Sequence, residues 1–463
     1  MTILLSQAVR VSGAVLAAGT TQTMAADLEA DLVTRKMATY TVAPMKSTVP
    51  LFGENDPLTG GLTFLAGGED ITSQMGGSGG GSSSTTLAGV VFTLSAQAYT
   101  TQPSDLGQLG LVTAGASTAT ITLLSAASAG VGGLQHIRKN DSGAGRVIVT
   151  DGTTELAWLS AQNDIVSLRS DGTNWVAVGW NIKPIQDNFT TVGTASWTKP
   201  PLATAVDVAC FPGGCGGGSG RRGPTGAIRT GGGGGVGGGV FAIFGFPSAS
   251  LPASLTVTVG DGGVGGPSQT VDATNGTLGS LGGDSFFGDY VKGFGSRATA
   301  SGGGAGSTGN ASGGAAATQL SMYRGGTGVS SSSTANATQG TFNSPINGGG
   351  GAGGSSDVAN NQRLPCAGEL GSMGFTSSGV AAGTAGTAGN PGGDGADADP
   401  DTFLGGGAGG GGGFYVAATA GTAGGGGGYP GGGGGGGAAA DNGNNSGAGG
   451  KGGRGEVRVV THF

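Results

Sequence analysis

The densest cluster of chemistry-bearing side chains is acidic: Asp394, Asp397, Asp399 and Asp401 within PGGDGADADPDT. An oxygen-rich loop of this kind can hold Ca2+. No bidentate glutamate closes it in the usual loop pattern, so a solvated acidic loop is the competing reading. Cys210 and Cys215 flank FPGG, and no second ligand pair accompanies them, so buried or free thiols are expected rather than zinc. Of the two histidines, His136 precedes Ile137-Arg138 in a strand-like stretch and His462 is the penultimate residue of the sequence, and ordinary surface or interface roles are expected for both. Many Gly-x-Gly-x-x-Gly matches occur, but none sits in a strand–helix–strand unit, so no dinucleotide site is implied. Lys451 is followed by Gly452 rather than Ser or Thr, which rules out a phosphate-binding P-loop. The expectation is a non-enzymatic chain with no cofactor and no metal.

The bulk numbers explain why chemistry is scarce. Of 463 residues 109 are glycine, and only 10% are charged. Collagen needs a strict Gly-X-Y period and abundant proline. Here Gly231–Gly235 and Gly431–Gly437 break any such period, and there are 17 prolines. The net charge is −7 and the longest Lys/Arg run is Arg221-Arg222, which argues against nucleic-acid binding. No apolar stretch approaches the ~18 residues of a transmembrane helix, so no membrane insertion is expected. Arg10 interrupts the apolar opening segment, so no secretory leader is expected. Three cysteines are too few for a disulfide scaffold, which fits a reducing cytosol.

The elements that must position any site divide into four. Residues 1–45 read as a small mixed α/β anchor, with strand character at Val9–Val11, Val15–Ala18 and Ala38–Val42. A helix is expected over Asp27–Lys36, acidic in its first turn and basic in its last. Residues 46–86 read as a linker, ending in the Gly/Ser stretch 76–84. Residues 87–185 read as an antiparallel β domain, with strands at 119–124, 146–150, 155–160, 164–170 and 174–180. Asp151-Gly152 and Asp171-Gly172 mark two of its joints, as in type I′ hairpins. Val176, Val178 and Trp180 share one face of the last strand.

Residues 186–463 read as a glycine-rich domain on a β platform, with Lys183–Asn188 as the joint leading into it. Platform strands are expected at 194–198, 205–211, 240–246, 255–259, 286–290 and 456–461, so the ends of the domain come together. Between them lie glycine runs at 231–239, 302–306, 348–354, 405–413, 424–428 and 431–437. An isolated run should be a flexible coil. Several runs of similar length can instead pack as polyglycine-II-like helices of three residues per turn, a nine-residue run spanning ~28 Å. The large side chains between them are either plugs (Phe342, Phe403) or contact residues at exposed loops. Tyr323, Phe375, Tyr415 and Tyr429 are the candidates for the second role. The fold class is thus mainly β, with packed glycine arrays.

The stretch QNDIVSLRSDGTNWVAVGW resembles β repeats of bacteriophage fibre and appendage proteins. FTTVGTASWTKP, the apolar strand and glycine burst after it (ACFPGGCGGGSG), and the closing GGKGGRGEVRVVTHF are similar to glycine-rich domains of phage tail fibres. Where those domains usually place an aromatic-Gly-Ala element, this chain has Phe211-Pro212-Gly213. The resemblance, spanning roughly residues 87–463, implies a homotrimeric virion fibre assembled in the host cytoplasm. Its N-terminal unit would dock on tail proteins, and its distal loops would bind a host-surface polysaccharide or outer-membrane protein without cleaving it. The alternative is a head fibre or capsid decoration protein anchored to the capsid.

Overall fold

The computed structural model describes residues 91–295 apart from 96, 326–338 apart from 333, and 346–463 apart from 374 and 375, together with short strands among residues 2–70. The chain forms two compact units, residues 1–88 and 89–463.

In the first unit Thr2–Leu5 pairs antiparallel with Thr21–Thr23 on one side and Ala38–Tyr40 on the other. Val9–Val11 and Ala14–Leu16 form a hairpin. The helix expected over residues 27–36 and the Gly/Ser linker 76–84 lie outside the described residues.

The second unit opens with nine strands in two facing sheets. They are β1 (Val91–Leu94), β2 (Ala98–Thr100), β3 (Leu109–Val112), β4 (Ala119–Thr122), β5 (Leu134–Lys139), β6 (Val147–Thr150), β7 (Glu155–Leu159), β8 (Ile165–Ser170) and β9 (Trp175–Asn181). One sheet runs β1-β3-β5-β8-β9 and the other β2-β4-β6-β7. The expected all-antiparallel pattern is corrected here: β1, β3 and β5 are parallel, as are β2, β4 and β6. The reason is topological. Parallel neighbours require a crossover, and here the crossover is itself a strand of the facing sheet, because the chain alternates sheets from β1 to β6. Only β7, β8 and β9 add antiparallel pairs. Side chains alternating inward (Val112, Ile121, Ile137, Val149, Val166, Leu168, Trp175) fill the space between sheets. The indole of Trp175 donates to the Leu124 carbonyl at 2.8 Å.

Both Asp-Gly joints are hairpins, but not of the expected type. Asp171 donates its amide to the Asn174 carbonyl, so Gly172 and Thr173 are the central pair, and only Gly172 has positive φ, at 93°. Glycine at the first central position is the II′ signature, not I′. The Asp171 carboxylate accepts the amides of Thr173 and Asn174, which fixes the turn from the side.

The glycine-rich part begins on a β sandwich. Its strands are β10 (Ile185–Phe189), β11 (Gly193–Thr198), β12 (Ala205–Phe211), β13 (Phe241–Pro247), β14 (Ser254–Val259), β15 (Ser285–Phe287), β16 (Val291–Gly293) and β17 (Glu456–His462). One sheet is β10-β17-β12-β13 and the other β11-β14-β15-β16. The segment read as a joint is partly strand β10, and it pairs with β17 at the far end of the chain. Trp197, Val208, Val257, Phe287, Val457 and Val459 form the core, with the Trp197 and Phe287 rings edge-to-face at 5.2 Å.

From this sandwich the glycine runs leave and return. Their hydrogen bonds have a period of three. Gly214, Gly217 and Gly220 donate to carbonyls of 453, 450 and 447. Cys215, Gly218 and Arg221 donate to 236, 233 and 230, and Gly216 and Ser219 donate to 280 and 277. Each successive amide therefore points to a different neighbour, 120° around the run, as a three-residue helix without internal bonds requires. The run from Gly431 to Ala439 is the hub. Its amides reach carbonyls of the runs at 215–218, 348–354 and 422–428, and its carbonyls accept amides of the runs at 232–238, 410–413 and 447–453. Six neighbours surround it. Glycine is required because the backbones touch: a Cβ on Gly435 would overlap the carbonyl oxygen of Gly411, and one on Gly436 that of Gly232. The run at 302–306 lies outside the described residues.

Candidate recognition surface at the loop end of the glycine lattice

Because the runs shuttle out from the sandwich and back, their connections collect at two ends. At the sandwich end Phe403 packs edge-to-face on Phe244 at 5.7 Å and against the buried Ile346 and Leu404 cluster, the plug role expected for it. The Pro400 carbonyl accepts the side-chain amides of Gln186 and Asn188 at 2.8 and 3.2 Å. The guanidinium of buried Arg458 lies over Phe211 at 4.8 Å and pairs with Glu456 at 2.7 Å.

At the opposite end, five segments bond to one another: 221–229, 269–276, 355–363, 415–421 and 440–446. Ala273 donates its amide to Asn442 Oδ1 at 3.1 Å, Gly226 to Asn360 Oδ1 at 3.0 Å, and Asn442 to the Gly223 carbonyl at 2.8 Å. Gly421 donates to the Asn445 carbonyl at 2.9 Å. The outer residues of this cluster, including Pro224–Gly226, Val271–Ala273, Val358, Ala359 and Ala417–Ala420, are exposed. They are small and mostly uncharged, alanines and glycine with Val271 and Val358 standing out into solvent and Thr225 and Thr419 as the exposed hydroxyls.

Three arginine–aspartate pairs hold these loops. Arg229 is fully buried and its Nη2 contacts Asp441 Oδ1 at 3.0 Å, Ser356 Oγ at 3.0 Å, Asn360 Oδ1 at 2.9 Å and the Tyr415 hydroxyl at 2.9 Å. Its Nη1 donates to the Pro224 carbonyl. One side chain thus joins four of the five segments. The other Asp441 oxygen accepts the Ala418 amide at 2.6 Å. Arg222 pairs with Asp272 at 2.6 Å, and the Gly443 amide, followed by that guanidinium, holds the Asp272 carboxyl below its ordinary range. Arg363 pairs with Asp357 at 2.9 Å, and Asp357 is lowered first by the Asn361 side chain.

Of the four aromatic contact candidates, the two within the described residues lie at different ends. Tyr415 is at this end but only 1% exposed, with its ring against Arg229 at 5.6 Å and its hydroxyl between Arg229 and Asp441. Burial raises its pKa. It is an internal brace, a correction to its expected place on an exposed loop; the buried cation and carboxylate beside it need a phenol that can both accept and donate. Tyr429 is 42% exposed but belongs to the sandwich end, beneath Arg454 at 4.7 Å. Tyr323, Phe375 and the plug candidate Phe342 lie outside the described residues.

The acidic stretch 394–401 also has a geometric explanation. Asp394 Oδ1 accepts the Gly426 amide at 2.6 Å, and three residues on Asp397 Oδ1 accepts the Tyr429 amide at 2.7 Å. Spaced three apart, these carboxylates stand where another glycine helix would supply carbonyls, and so finish the lattice edge. Among the described residues no group of three or more His, Cys, Asp or Glu side chains converges for a metal. All three cysteines are buried thiols, and burial pushes the Cys366 pKa up to about 11.

Sequence reasoning missed Arg229 and Asp441 altogether. The available signal was an isolated arginine entering a glycine run (Arg229-Thr230-Gly231) and an isolated aspartate leaving one (Ala440-Asp441), where charge is otherwise scarce.

No curated protein matches the chain. The family described as a glycine-rich domain matches residues 190–461, which is more than half of the chain and takes in the sandwich from β11 through most of β17 together with every described glycine run. The chain belongs to that glycine-rich domain family.

Proposed function

We propose that this chain is a structural virion fibre protein, a homotrimeric tail fibre whose glycine-rich domain displays loops to a host-surface polysaccharide or outer-membrane protein. The observation that carries the reading is the loop cluster. Five mutually bonded segments are presented at the end of a lattice, away from the sandwich, with the side chains of Thr225, Val271, Val358 and Ala420 exposed on them. Loops on a rigid scaffold are the usual site of recognition, because they vary without cost to the fold. The sequence resemblance to phage fibre domains supplies the biological setting, and the N-terminal unit is the part assigned to docking on the particle. Binding is non-hydrolytic in this reading, since the loop-end carboxylates Asp272, Asp357 and Asp441 are all engaged by arginine. An exposed stripe on edge strand β9 (Val176, Val178 and Trp180) is available for contact between copies.

The test is binding of the purified, labelled chain to host cells, with and without replacement of the exposed side chains Thr225, Val271, Val358 and Ala420. Loss of binding with unchanged oligomeric mass and thermal stability supports the reading; undiminished binding overturns it. Gold-labelling the loop end on intact particles then decides between tail attachment and the head-fibre alternative.

A further inference from the structure

The loop end carries four arginines (Arg221, Arg222, Arg229, Arg363) and three aspartates (Asp272, Asp357, Asp441) across its five segments. Each aspartate is taken by one arginine. Arg221 is left over. It is only 7% exposed, and among the described residues it is the one buried arginine without a carboxylate partner, since Arg458 has Glu456. Its Nη1 donates to Asn275 Oδ1 at 3.2 Å, a long and neutral contact, and its buried Nε has no partner. Burial and, secondarily, the positive charge of Arg229 both lower its pKa.

A buried cation is costly unless an anion or a full set of acceptors compensates it. This chain has a net charge of −7, so spare carboxylates are plentiful elsewhere, yet none faces Arg221. The side chain lies against Gly223, where a Cβ would press on the guanidinium, and reaches the exposed Asn275. A guanidinium offers paired N–H donors that match an oxyanion. The Asn275 side-chain amide beside it can bond a group flanking that anion.

We propose that Arg221 is an oxyanion-binding point in the loop-end surface, taking a carboxylate or phosphate group carried on an acidic glycan. The glycan as the source rests on the recognition reading above; oxyanion binding itself does not.

The experiment is thermal unfolding of the full chain in chloride, phosphate and galacturonate at matched ionic strength, for wild type, Arg221→Gln and Arg221→Lys. Wild type is expected to gain about 2 °C or more in phosphate or galacturonate over chloride. Whichever anion gives the larger gain identifies the source chemistry. In Arg221→Gln the gain disappears, while stability in chloride is unchanged or higher because an unpaired charge has been removed; in Arg221→Lys part of the gain survives. Absence of an anion-specific gain in wild type overturns the proposal. So does an equal gain in Arg221→Gln, or a large loss of stability in chloride, which would mark the residue as purely structural. If Arg221→Gln does not fold, the wild-type and Arg221→Lys arms still decide. Anion binding without cell binding would sink the fibre reading alone, and cell binding without an anion effect would sink this inference alone.

Discussion

The amide of Gly434 donates to the carbonyl of Cys215 at 2.9 Å, and one helical turn later Gly437 repeats the contact with Gly218. Two runs far apart in sequence are thereby locked in register by backbone alone. At Gly218, Gly434 and Gly437 the contact depends on the absence of a side chain.

That absence is the first prediction. Gly435→Ala should destabilise the lattice by about 3 kcal/mol or more, because the methyl meets the Gly411 carbonyl and neither backbone can retreat. Gly179→Ala, where a Cβ meets nothing within 4 Å, should stay within about 0.5 kcal/mol. Denaturant melts of the two variants against wild type check the contrast.

Arg229 predicts a different failure. Arg229→Met leaves the Asp441 carboxylate buried without its cation and should cost about 3–5 kcal/mol. The loss should be local first: hydrogen exchange should quicken at 357–361 and 416–421 before it does so in the sandwich. The double variant Arg229→Met/Asp441→Leu should recover part of the loss, since replacing both partners removes the orphaned charge.

Glu369 sets a pH dependence. Its carboxyl is buried in the lattice, one oxygen accepts the Gly349 amide at 3.2 Å and the other has no partner. Desolvation raises its pKa to about 7, against the opposing pull of that amide. Because the folded value lies above the unfolded one, the folded state holds the proton more tightly. The contribution to stability is fully present below the ordinary carboxylate range and is lost as pH rises through about 7. The melting temperature should therefore fall between pH 5 and pH 8 by more in wild type than in Glu369→Gln, and the variant should be the more stable of the two at pH 8.

The lattice edge gives the fourth. Asp394→Ala and Asp397→Ala each strip an acceptor from a run amide, at Gly426 and Tyr429. Each should cost about 1–2 kcal/mol. Asparagine at either position keeps an acceptor oxygen and should cost less. Calcium addition should leave wild type and both alanine variants with unchanged melting temperatures.

What could be read from the residues was what periodicity or spacing encodes. Alternation in Ala205–Phe211 and Glu456–Thr461 marked sandwich strands, and runs of matched length marked a three-residue lattice. The strand Ile185–Phe189 was not legible, because IQDNF offers apolar side chains only at its ends and owes its conformation to pairing with β17. The parallel order of β1, β3 and β5 was equally hidden: strand patterning records which face is buried, not which sheet the chain enters next. At the loop end Tyr415 looked like a contact residue because aromatic side chains between glycine runs have no local signature of burial. Its fate is set by Arg229 and Asp441, both distant in sequence.

Strand β17 lies between β10 and β12, the first and third strands of the sandwich. During synthesis, therefore, every glycine run leaves the ribosome before the sheet that anchors them can close. At roughly 5–20 residues per second, the stretch from Phe211 to Glu456 emerges over tens of seconds before that strand is available. Nearly all its contacts are long-range, the regime in which folding is slow. A chain that stops short of residue 456 would hold most of the lattice sequence and lack the strand that joins β10 to β12, so the base of the lattice closes only after its body has been made.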